Sequence, residues 1–75
     1  METMPTRRRP LIQDPKAVRR LRLRKALEQA ELAELAGISI SHMSKIETGA
    51  GSPGAKVLGK LATALGCEVE ELMAQ

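Results

Sequence analysis

The sequence predicts a compact all-α domain of five short helices, and three observations predict it. The chain has 75 residues with no Phe, Tyr or Trp. A core this small must then be built from Leu, Ile, Val, Ala and Met, which interdigitate between helices, whereas a small sheet would miss its aromatics. Apolar residues also recur at helical spacing, as in Leu32, Ala33 and Ala36, or Leu58, Leu61, Ala62 and Leu65. Finally, helix punctuation falls between these runs: Asp14-Pro15 and Ser39 as starts, Gly37, Gly49 and Gly66 as stops.

Taken in order, Met1 to Gln13 reads as a flexible basic arm, because Pro5 and Pro10 prevent a continuous helix. The domain then occupies residues 14–75. Leu11 and Ile12 are the residues that could tie the arm to it. Asp14 caps the free amides of a first helix over Pro15–Ala26, and Pro suits the first helical position. Val18 and Leu21 point inward. Leu23 falls on the far side, between Arg19 and Arg20, where packing under the arm is the expectation. Leu27 and Glu28 join this helix to the next.

The stretch Gln29–Gly49, QAELAELAGISISHMSKIETG, organises the rest. Leu32, Ala33, Leu35 and Ala36 make a helix that Gly37 breaks. Ser39 is a side-chain N-cap for a further helix, about Ile40 to Thr48, in which Met43 and Ile46 face inward. Gly49 ends it. Two helices around a tight glycine turn form the pattern of a helix-turn-helix. Residues 49–54 (GAGSPG) are a turn by composition. A fourth helix follows over about Ala55–Leu65, and a fifth over Glu68–Ala74, with Val69, Leu72 and Met73 apolar between glutamates.

The register of Gln29, Leu32, Ala33, Gly37, Ile38, Ser39, Met43, Ser44, Ile46, Glu47 and Gly49 closely resembles the helix-turn-helix of the Xre family, which includes the Cro and repressor proteins of lambdoid phages. The match continues through Pro53, Leu58, Leu61, Ala62, Leu65 and Gly66 and covers most of the chain. The resemblance implies a lambda-repressor-like DNA-binding domain whose third helix enters the major groove. It assigns base contacts to Ser39, Ile40, Ser41 and Lys45. Ser44 lies on the same outward side, and His42 flanks it near a phosphate. Lysine can donate to guanine O6 or N7, serine can bond either kind of base, and isoleucine can meet a thymine methyl. Gln29 is the family's phosphate-binding glutamine, at a helix end whose free amides favour anions. Arg22 and Glu47 fall at the positions of an ion pair that orients the recognition helix, its value lying in orientation more than stability.

Two departures from the family stand out. Glu28 replaces the usual Ser or Thr, leaving a poorer side-chain cap. Ala50 and Gly51 replace the Lys, Arg or Asn that often hold the DNA backbone. Charge elsewhere compensates. Residues 1–25 hold nine bases against two acids, whereas residues 26–75 hold three bases against seven acids. A basic arm on a nearly neutral body suggests a polyanion partner, with Arg7, Arg8 and Arg9 entering the minor groove or following the phosphates.

Other classes are disfavoured. No nucleophile with a base, phosphate-binding glycine signature or paired carboxylate is present, so an enzyme is not expected and no cofactor is called for. The lone His42 and lone Cys67 make no metal site. A single cysteine excludes an internal disulfide and suits an intracellular location; the resemblance implies a cytoplasmic, bacterial or phage-encoded protein. Cys67 reads as a small buried hydrophobe. No apolar run approaches the ~20 residues of a membrane span. The expected function is a sequence-specific transcriptional repressor, bound as a homodimer to a palindromic operator in double-stranded DNA. The alternative is the antitoxin of a toxin–antitoxin pair, whose protein partner would be a toxin or another regulator. Little sequence beyond the domain is left to wrap a toxin, which favours the regulator.

Overall fold

The computed structural model describes residues 11–74. The run Arg7–Arg9 lies outside them. Four α-helices follow one another: α1 (Pro15–Arg24), α2 (Gln29–Ala36), α3 (Ile40–Thr48) and α4 (Ala55–Leu65). Asp14 starts α1 by accepting the Lys16 N–H at 3.1 Å. Glu28 is a better start than its type suggests. Its backbone N–H donates to the Glu31 carboxylate at 2.7 Å, half of a reciprocal capping box at the head of α2.

One core joins the four helices. Val18 and Leu21 come from α1, and Leu32, Ala33 and Ala36 from α2. Met43 and Ile46 come from α3, and Leu58, Leu61, Ala62 and Leu65 from α4, with Leu72 closing the end. Leu35, which shares the apolar pattern of α2, is instead 57 % exposed. Leu23 remains 52 % exposed, so it is not buried under the arm as expected.

The fifth helix is the main correction. Val69–Leu72 forms only a single 3-10 turn, and Met73 is extended. The cause is backbone pairing with the start of the domain. Gln13 and Met73 form an isolated antiparallel bridge. The Asp14 N–H donates to the Leu72 carbonyl at 2.8 Å, and the Ala74 N–H to that of Ile12 at 2.9 Å. A helix continued through Ala74 would commit the Ala74 N–H to the Glu70 carbonyl and so take it from Ile12. The same pairing fastens Ile12 and Gln13 to the body, so the end of the expected arm is part of the folded domain.

The first helix is also shorter than expected, ending at Arg24. Ala26 adopts a left-handed conformation with φ of 58°. The Ala26 N–H donates to the Leu23 carbonyl at 2.9 Å and the Leu27 N–H to that of Arg22 at 3.1 Å. These two bonds define a Schellman ending, in which alanine occupies the place usually given to glycine. The helices α2 and α4 end the same way on Gly37 and Gly66, with φ of 72° and 67°.

Candidate nucleic-acid interface

The recognition-helix candidate is built by its inner face. Met43 and Ile46 are fully buried. At ~100° per residue, burying these two turns Ser41, Lys45 and Thr48 outward. All three are exposed, while His42 and Ser44 are half-buried at the flanks. Ser39 holds the helix start, its Oγ accepting the His42 N–H at 3.0 Å. Ile40 stands at that tip 56 % exposed, an apolar side chain held in water beside two serines. This surface offers hydroxyl donors, an ammonium group and an apolar contact, the set that base edges and thymine methyls can meet.

Behind it, α1 and α2 clamp the helix. Arg22 Nε donates to Glu47 Oε2 at 2.6 Å, and Nη2 to Oε1 at 3.1 Å. The guanidinium also donates through Nη1 to the Leu27 carbonyl at 2.7 Å. Both residues are only 7 % exposed. The pair is thus buried rather than half-solvated, and removing one partner alone would cost more than breaking a surface pair. Gln29 Nε2 adds a third bond to the same carboxylate, 3.1 Å from Oε1. Glu47 thereby links α1, the head of α2 and α3. Gln29 is half-buried and committed in part to this internal bond. Its side chain has one further amide hydrogen and its carbonyl to offer a ligand.

The loop after α3 folds back on Lys45. The Gly51 N–H donates to the Lys45 carbonyl at 3.1 Å. A Cβ placed on Gly51 would lie 3.1 Å from Lys45 Cβ, so a side chain there would push against the lysine stem. Gln13, counted with the arm in the sequence, proves fully buried against this loop. Nothing in its local sequence marks it, since its partners lie more than thirty residues away.

Basic side chains flank this assembly. Lys16, Arg19 and Arg20 line a shallow groove between α1 and α3 with Leu23 and Glu47. Cys67 is half-buried beside the 3-10 turn. Its thiol pKa is raised, chiefly by desolvation and then by Glu71, against a lowering influence of Arg24. Among the described residues no group of His, Cys, Asp and Glu is arranged to hold a metal ion. No described helix is long and apolar enough to cross a membrane.

Comparison with known proteins identifies the fold and the family. A helix-turn-helix family model matches residues 18–72. Among solved structures, the restriction-modification controller protein C.AhdI from Aeromonas hydrophila is 37 % identical with a TM-score of 0.75, over 79 % of this chain and 89 % of that one. The P22 c2 repressor in complex with a synthetic operator is 27 % identical with a TM-score of 0.76, over the same shares. The biofilm master regulator SinR in complex with DNA is 29 % identical with a TM-score of 0.73, over 77 % of this chain and 97 % of that one. No curated protein matches the sequence. The chain belongs to the helix-turn-helix family of Cro/C1-type transcriptional regulators.

Proposed function

We propose that this protein is a repressor that binds a palindromic operator as a homodimer and places the N-terminal half of α3 in the major groove of each half-site. The observation that carries the reading is the outward face of α3. It presents Ser39, Ile40, Ser41 and Lys45 while a buried Arg22–Glu47–Gln29 cluster fixes the helix from behind. Lys45 donates to a guanine edge, the serines bond base edges, and Ile40 meets a thymine methyl. Ser44 and His42 lie toward the groove wall. The second amide hydrogen of Gln29 and the free amides at the head of α2 take a phosphate. Arg7, Arg8 and Arg9, with Lys16, Arg19 and Arg20 on α1, add phosphate neutralisation that residues 49–54 lack. That the operator-bound P22 c2 repressor and DNA-bound SinR share this fold supports the reading.

Enrichment of binders from random-sequence duplex DNA tests it. The expected result is an inverted repeat with half-site centres about one helical turn apart, ~34–36 Å. Weak binding with strong salt dependence and no enriched motif would overturn it.

A further inference from the structure

Gln13 is a fully buried polar side chain whose three partners all lie at the end of α3 and the loop beyond it. Its Nε2 donates to the Ile46 carbonyl at 3.0 Å and to the Gly51 carbonyl at 2.9 Å. Its Oε1 accepts from Ser52 Oγ at 3.1 Å. A buried amide needs such partners, because an unmet donor or acceptor costs more than a formed bond gains. One side chain therefore joins the recognition helix to the loop. Gly51 in turn lies against Lys45, through its N–H on the Lys45 carbonyl and its α-carbon beside the lysine stem.

We infer that Gln13 is a positioning residue for Lys45. It holds Gly51 so that the loop backs the lysine stem and limits the directions in which the ammonium can reach. Gln13 touches no base and no phosphate. Its effect is on the sharpness of base preference at the position Lys45 reads, and it rests on the major-groove reading above. A residue that only fastened the N-terminal segment would change stability and leave base preference alone.

The test uses the full chain with Gln13→Met, which keeps length and loses all three bonds. Binding is measured to the enriched duplex and to duplexes changed at the Lys45-dependent base pair, at a temperature where the variant is fully folded. The expected result is about tenfold weaker binding, the scale of one or two net hydrogen bonds, with a reduced penalty for the changed base pair. Hydrogen exchange of the Gly51 amide should also be at least about tenfold faster. Unchanged exchange, or an unchanged base penalty in the folded variant, overturns the assignment. If Gln13→Met does not fold, Ser52→Ala removes one bond at an exposed loop residue and should shift exchange and base penalty in the same direction by a smaller factor. No shift there overturns the assignment equally. If the wild-type chain shows no base preference at all, the major-groove reading has failed and this role fails with it. Faster Gly51 exchange would then mark Gln13 as a loop fastener alone.

Discussion

Arg22 and Glu47 meet on separate helices through two charge-assisted bonds, 2.6 and 3.1 Å long, in a site where each residue is only 7 % exposed. The carboxylate also receives Gln29, and the guanidinium also serves the Leu27 carbonyl. Three helix segments thus converge on one ion pair. Removing a single partner would strand a buried charge, which costs about 3–5 kcal/mol in comparable sites. Glu47→Leu should therefore lower unfolding free energy by that order in chemical denaturation. The double variant Arg22→Met with Glu47→Leu should lose clearly less than the sum of the two single losses, since neither charge is left alone.

Ala26 and Gly37 form a matched pair of helix ends. Both sit in left-handed backbone, φ 58° and 72°, inside the same hydrogen-bond motif. A non-glycine residue there costs about 1–2 kcal/mol. Glycine gives back about 0.4–1 kcal/mol through the greater freedom of the unfolded chain. Ala26→Gly should thus stabilise the domain by roughly 0.5–1 kcal/mol, and Gly37→Ala should destabilise it by a similar amount. At Gly37 the added Cβ would lie 3.7 Å from Lys60 Nζ, so the loss would come from backbone strain and not from a clash. Thermal unfolding of both variants reads the two signs directly.

Cys67 gives the protein a pH-dependent component. Burial, reinforced by Glu71, raises its thiol pKa, so the folded state favours the neutral thiol. Its contribution to stability is complete below the ordinary value of 9.0 and is lost as pH rises through the folded value. Stability should decline in that alkaline window, and Cys67→Ala should flatten the decline. Modification of the native protein by a thiol reagent at neutral pH should be slower than that of a free cysteine, because the thiolate is the nucleophile.

Four helices were legible because their signals are local. Spacing placed Met43 and Ile46 inward, and Asp14-Pro15, Ser39 and the glycines set the ends. Tertiary pairing decided the rest. Val69 to Met73 carries a helical pattern, yet Met73 is drawn into the bridge with Gln13. Ala26 belongs to a strong helix former, yet the bonds from Ala26 and Leu27 back to α1 end the helix before it. The outward residues of α3 followed from its buried ones. The burial of Arg22 and Glu47 did not, since two charges far apart in sequence say nothing of the solvent between them. Gln13 was hidden for the same reason.

The central claim is that the outward face of α3 reads base edges, with Lys45 among the readers. The most direct test is competition binding of the wild type and Lys45→Ala against a full set of single-base changes in the enriched duplex. The account predicts that Lys45→Ala loses preference at one base pair per half-site, a change of about 1–3 kcal/mol there, and keeps the remaining pattern. A uniform loss across all positions would make Lys45 a phosphate contact. An unchanged profile would contradict the placement of this face of α3 in the groove.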